Sequence, residues 1–233
     1  MRYKAVMFDV IGTTVVEKDP TVIARSFEKA FRDHGIQVDE ARVRANRGRD
    51  KKEIIDVMLK EQDASNNLAP AVYDSFVRNV EANLHAFEPR DGAMELFDFL
   101  HQRGMKVALG TGLSHDLFAR IMKQIDWPLL RFDYVGIPEH GIRPRPHADM
   151  LQDMMAKLRL TPMDVLKVGD TVADIHEGKN AGVATVAILA GTQSREMLEQ
   201  AQPTFVIETL NELKQIATQR IRSTPAITKT KLE

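Results

Sequence analysis

The sequence predicts an α/β protein: a parallel-sheet core with a helical cap inserted after the first strand. Three observations carry this. Short apolar runs alternate with segments of helical period from Pro89 onward, the pattern of a parallel sheet covered on both faces. Between Thr21 and Phe87 the period is helical throughout, with no strand-like run. Polar groups stand where the apolar runs end, at Asp9, Thr111 and Asp170, and ligands in open α/β sheets bind at the carboxyl ends of the strands.

The first run, Ala5 to Phe8, stops at Asp9 and is broken by Gly12-Thr13-Thr14. Val22, Ile23, Phe27, Ala30 and Phe31 then mark a helix that Gly35 ends. Asp39 to Arg47 and Lys51 to Glu61 read as two further helices, and Pro70 opens another with Val72, Phe76, Val80 and Leu84 as its stripe. Asp91 to Arg103 is a helix, Met105 to Leu109 a strand bounded by Gly110-Thr111-Gly112, and Ser114 caps a helix running to Gln124. Tyr134 to Ile137 is a strand, followed by the Arg143-Pro144-Arg145-Pro146 loop and a helix over Asp149 to Leu158. A strand over Asp164 to Val168 ends at Gly169-Asp170-Thr171, and a helix covers Asp174 to Ala181. Val183 to Leu189 and Phe205 to Ile207 are strands flanking a helix over Arg195 to Ala201. Residues 1–16 and 88–222 are assigned to the core, 17–87 to the cap and 223–233 to a loose polar tail.

Composition narrows the function. A net charge of −1 over 233 residues gives no electrostatic case for nucleic acid or an anionic membrane. No apolar stretch approaches a membrane span, and the chain enters a strand directly, with no apolar leader. The absence of cysteine excludes a thiolate nucleophile and a cysteine-based zinc site, and fits a cytoplasmic protein. A monomer and a homodimer both remain open.

Right-handed crossovers bring the strand ends to one side. Asp9, Asp170 and Asp174 would then crowd one crevice, and three carboxylates together call for a cation. Oxygen-only ligands suit a hard ion such as Mg²⁺. Thr111, with Gly112 beside it, offers a hydroxyl and backbone N–H groups to a phosphoryl oxygen. One arginine of the Arg143 loop is needed inside, and Arg143 is the expected one. His115 lies just beyond the Thr111 loop, within reach of a substrate.

These pieces, in this order, resemble the haloacid dehalogenase superfamily of aspartate-nucleophile hydrolases, whose core is Rossmann-like. MFDVIGTTV (from Met7), GRDKKEII (from Gly48), RPRP (from Arg143), GDTVAD (from Gly169) and LAGTQSREML (from Leu189) resemble its phosphonoacetaldehyde hydrolase-like branch. The resemblance implies that Asp9 attacks phosphorus and water releases the phosphate. It implies Mg²⁺ bound by Asp9, Asp170, Asp174 and the backbone carbonyl of Ile11, with Thr13 beside the nucleophile and Thr111 and Arg143 on the phosphoryl oxygens. It also implies a cap loop, Arg47 and Gly48 to Lys51, in which Lys51 forms a Schiff base with an aldehyde. Two departures stand out. Ile11 occupies the position where superfamily phosphatases carry an acid–base Asp, which disfavours esters with poor leaving groups. Arg47 replaces a methionine. A small phosphorylated or phosphonate substrate is therefore expected, with a phosphoglycolate phosphatase-like ester hydrolase, or a weakly catalytic phosphate-binding protein, as alternatives.

Overall fold

A computed structural model describes residues 3–139 and 141–218; the proposed tail, 223–233, lies outside them. The elements in order are β1 (Ala5–Asp9), β2 (Val15–Glu17), α1 (Val22–Arg32), α2 (Glu40–Ala45), α3 (Lys51–Glu61), α4 (Ala69–Glu81), β3 (Phe87–Pro89), α5 (Ala93–His101), β4 (Lys106–Gly110), α6 (His115–Gln124), β5 (Tyr134–Gly136), α7 (Asp149–Leu158), β6 (Val165–Gly169), α8 (Val172–Asn180), β7 (Ala184–Ile188), α9 (Arg195–Gln200), β8 (Phe205–Ile207) and α10 (Leu213–Thr218).

Six strands form one sheet in the order β5-β4-β1-β6-β7-β8, every pair parallel. This is an α/β, Rossmann-like sheet. β1 is central and buried along its whole length, as expected of a strand covered on both faces. Because β1 pairs with β4 on one side and β6 on the other, Asp9, Thr111 and Asp170 leave the sheet at neighbouring points on one edge.

Between β1 and α5 the chain makes an excursion that the sequence reading only partly anticipates. β2 and β3 pair antiparallel as a separate two-stranded ribbon, and each strand has three residues, too short to show a periodicity. Between them α1, α3 and α4 pack around Phe27 stacked on Phe76, with centroids 4.2 Å apart, and Ile54, Ile55, Leu59 and Val72 fully buried. Burying a side chain of this size is worth roughly 1.5–3 kcal/mol, and Phe27→Ala would cost the excursion about 3–5 kcal/mol.

Local chemistry explains where elements start. Asp50 caps α3 by accepting from the backbone N–H groups of Lys52 and Glu53. Thr171 caps α8 in a box with Asp174, so that helix begins at Val172, two residues before the position expected from the sequence. Ser114 occupies the N-cap of α6 without a side-chain cap bond. Among the described residues, no helix is long and apolar enough to cross a membrane.

Candidate active site

The strand-end residues converge. One oxygen each of Asp9, Asp170 and Asp174 lies within 4.8 Å of the others, and all three side chains are buried. Each carboxylate has a different set of partners. Asp170 accepts from Thr13 Oγ1 (3.0 Å), Thr192 N (2.8 Å) and Thr192 Oγ1 (2.6 Å). Asp174 accepts from Thr171 Oγ1 and from Arg145 Nη1, and lies 3.0 Å from Lys167 Nζ. Asp9 accepts at Oδ1 from Arg145 Nη1 (2.7 Å). Its backbone carbonyl accepts from Thr14 Oγ1.

Arg145, not Arg143, is the arginine of this site. Its side chain is 1% exposed, whereas that of Arg143 is 64% exposed and forks onto Asp149 at 2.9 and 3.0 Å. Asp149 opens α7 and captures the nearer arginine outside the crevice, so the expectation for Arg143 is corrected to Arg145 two residues on. His115 also stays out. Its side chain is 63% exposed beside Asp116, because it heads α6 on the solvent side. Thr13 is fully buried and turned to Asp170, so it orients a carboxylate and does not line the cleft.

Four groups that sequence reasoning missed complete the site. Lys167 and Glu177 are 1% and 0% exposed and pair at 2.9 Å beneath Asp174. Lys167 lies in the middle of an apolar strand, which hides its role, although Glu177, one helical turn after Asp174, carried a signal. Thr192 sits in the loop after β7, and Glu17 on β2 holds Arg47.

Above Asp9 the loop between α2 and α3 closes the crevice. The lining is Asp9, Ile11, Thr111, Gly112, Leu113 and Arg145 from below, and Ile23, Phe27, Val43, Arg47, Gly48, Lys51 and Ile54 from above. The contact is close. Gly48 has φ +87, and a Cβ there would lie 2.1 Å from Thr171 Oγ1; a Cβ on Gly112 would lie 2.5 Å from the carbonyl oxygen of Arg49. Only glycine fits both positions. The space left, about 20 Å³ to the centre of a water-sized sphere, holds roughly one water, so a larger molecule fits only if the α2–α3 loop moves.

Electrostatics follow from this burial. Burial pushes Asp9 up to about 7, with Arg145 opposing and Asp174 and Asp170 adding to the rise. For Asp174 burial acts upward too, but Arg145, Lys167 and the Thr171 hydroxyl outweigh it and hold it below the usual carboxylate range. Burial lowers Lys51 to about 8, helped by Arg145 and Arg47 and opposed by Asp9 and Asp50. Lys51 Nζ donates to the Arg49 carbonyl at 3.0 Å, while the Asp50 carboxylate is turned to the start of α3.

The cluster suits a hard cation. Four buried carboxyl groups, Asp9, Asp170, Asp174 and Glu177, face two buried cations, Arg145 and Lys167. Fully ionised, that set lacks two positive charges, of which Lys51, within reach of the charge of Asp9, can supply one. Both oxygens of Asp170 and both of Asp174 already accept from donors, whereas Asp9 Oδ2 accepts from none among the described residues.

The family model described as haloacid dehalogenase-like hydrolase matches residues 6–188. A phosphonoacetaldehyde hydrolase of Bacillus cereus is 26% identical over 94% of this chain and 88% of its own length. A phosphonoacetaldehyde hydrolase-like protein from Oleispira antarctica has a solved structure with TM-score 0.80 and 23% identity, over 94% of this chain and 92% of that one. The structure of a predicted phosphoglycolate phosphatase from Haemophilus somnus gives TM-score 0.77 at 20% identity, over 93% and 98%.

Proposed function

Because the chain belongs to the haloacid dehalogenase-like hydrolases, we propose that this hydrolase cleaves a C–P bond in a small carbonyl-bearing phosphonate, with Asp9 as nucleophile and Lys51 as the amine that activates the carbonyl. One observation carries the reading: a lysine lowered to about 8 lines the closed crevice with the buried carboxylate Asp9. The relatives named phosphonoacetaldehyde hydrolase support it.

The steps use this chain's own groups. The neutral Lys51 amine adds to the substrate carbonyl, and uptake of one proton from solvent with loss of water leaves an iminium. Asp9 attacks phosphorus through Oδ2, since Arg145 holds Oδ1. The C–P bond breaks and its electron pair moves into the iminium, giving an enamine and an aspartyl phosphate. Water hydrolyses the aspartyl phosphate to inorganic phosphate. The enamine takes a proton on carbon, and a second water frees the carbonyl product and Lys51. Arg145, Thr111 and the backbone at Gly112 hold the phosphoryl oxygens. Asp9, Asp170 and Asp174 would hold a divalent cation, Mg²⁺ by the chemistry of the set, and it would neutralise phosphoryl charge.

Electrons leave into the iminium, so no acid is needed at Ile11, and the apolar side chain there is consistent with the route. An ordinary phosphate ester needs that acid and lacks it. The test is borohydride trapping with phosphonoacetaldehyde, read by intact mass and peptide mapping. A substrate-dependent adduct on Lys51, lost in Lys51→Arg together with activity, is expected. Normal turnover by Lys51→Arg with no adduct would sink the proposal. Turnover of p-nitrophenyl phosphate, lost in Asp9→Asn, would then leave a phosphatase; phosphate binding without any turnover would leave a binding protein.

A further inference from the structure

Arg47 is the one crevice cation for which the reaction above has no use. It lies in the turn between α2 and α3, immediately before Gly48, and its side chain is 7% exposed. Nη2 donates to Glu17 Oε2, and Glu17, itself 3% exposed, also accepts from the backbone N–H of Ile23 at 2.7 Å. A buried bond to β2 therefore fixes the guanidinium. Nη1 is buried and has no hydrogen-bond partner among the described residues. A charged donor left unpaired away from water is expensive, and none of the other residues lining this crevice from above, Ile23, Phe27, Val43, Gly48, Lys51 and Ile54, offers it a side-chain acceptor.

The crevice thus has two ends. The strand-end side, with Asp9, Thr111 and Arg145, has the groups a phosphoryl group needs. The cap side presents a fixed, half-satisfied guanidinium near enough to Lys51 for its charge to bear on that amine. An aldehyde terminates in a C–H bond, which accepts nothing. A carboxylate in its place supplies the missing acceptor and a charge that complements Arg47. The apolar walls and the small free space favour a short, planar acid over a second phosphate.

We propose that Arg47 binds a carboxylate of the substrate, so that the compound cleaved is a small phosphonate with a carbonyl group and, on the next carbon, an acid. The placing of the carbonyl rests on the Lys51 reading; the acid site does not. The experiment separates them with two inert ligands, neither of which has a carbonyl for an amine to attack. 3-Phosphonopropionate and propylphosphonate differ only in a terminal carboxylate replacing a methyl group. Their Kd values are measured calorimetrically on the full chain with Mg²⁺, in the wild type, in Arg47→Met, and in the pair Glu17→Gln with Arg47→Met, which leaves no unpaired buried carboxylate if the single variant folds poorly. The acid is expected to bind the wild type about tenfold tighter or more, as a charge-assisted hydrogen bond gives, and to lose that advantage in both variants while propylphosphonate stays within about twofold. Equal affinities in the wild type would mean that water serves Nη1, and an advantage surviving in the variants would assign the acid to another group; either overturns the proposal. If the advantage holds but neither phosphonoacetaldehyde nor 3-phosphonopyruvate traps on Lys51, the acid site stands and the Schiff-base route falls.

Discussion

Replacing Lys167 by Met tests whether the charges beneath the site are a structural requirement. Lys167 is 1% exposed, and its Nζ lies 3.0 Å from Asp174 Oδ1 and 2.9 Å from Glu177 Oε2, which are equally buried. Burial acts to lower its pKa, but Glu177 and Asp174 outweigh that and raise it above the ordinary lysine value, so the group remains charged throughout the neutral range. Met fills a similar volume and supplies no charge, leaving Glu177 with no cation in contact. Removing one partner of a buried pair costs about 3–5 kcal/mol, and in a chain of this size each kcal/mol moves Tm by about 2–4 °C. The expected fall is thus about 6–20 °C in metal-free buffer at pH 7. The pair Lys167→Met with Glu177→Met replaces both charges by apolar groups, which is commonly near neutral, and should recover more than half of the loss. A raised folded pKa contributes stability that is complete below the unfolded value and lost only as pH climbs through the folded one. The gap between wild type and Lys167→Met should therefore not close from pH 6 to 9, by urea unfolding, and should widen with pH because Glu177, already raised by burial, loses the cation that lowers it. A loss under about 1 kcal/mol, the scale of a surface ion pair, or a double variant no better than the single, would refute the reasoning.

Three further outcomes are expected. Asp9 is raised to about 7 from 3.8, so the metal-free protein should lose stability as pH rises through that window, because the unfolded chain gives up the proton first; Mg²⁺ should raise Tm more at pH 7.5 than at pH 5, and in Asp170→Asn this gain should largely vanish. Ile11→Asp should raise hydrolysis of alkyl phosphates more than that of p-nitrophenyl phosphate, by up to the roughly 10²–10⁴-fold that an acid contributes, and equal effects would show that the new carboxyl does not reach the leaving group. Arg145→Ala should lower kcat/KM at least about 100-fold, the scale of a lost transition-state donor, while Arg143→Ala, which breaks only an exposed pair, should change it less than about twofold; the reverse ranking would return the role to Arg143.

The sheet was legible because each strand is a short apolar run closed by a polar or glycine residue, and Asp9, Thr111 and Asp170 stand at those closures. What was not legible depends on direction. Two Arg-Pro dipeptides follow one another at Arg143 and Arg145, and nothing in their spacing reveals that Asp149, at the head of α7, pulls the first one outward. The ribbon of β2 and β3 is too short for a pattern. Lys167 resembles an interruption of a buried strand, and only the packing of α8 against β6 and β7 shows that Glu177 and Asp174 await it. Arg47 stood out in sequence as a substitution, but its pairing with Glu17, thirty residues earlier, depends on the fold.

The ribbon has a consequence for how such a molecule can be rebuilt. Val15 lies opposite Pro89 and Glu17 opposite Phe87, so the chain departs and returns through a single socket. Arg90 locks the near side of that socket, donating to the carbonyls of Gly12 and Thr13 at 2.6 and 2.7 Å and to that of Ala190 at 3.0 Å. A tight Asn-Gly turn placed after Glu17 would close the ribbon in register, and a different helical cassette could be spliced at the same seam. Asp9, Thr111, Arg145 and Asp170 all lie outside it. The strand-end groups, and the crevice groups Arg47 and Lys51 of the helical segment, are thus carried on separately exchangeable parts of one chain.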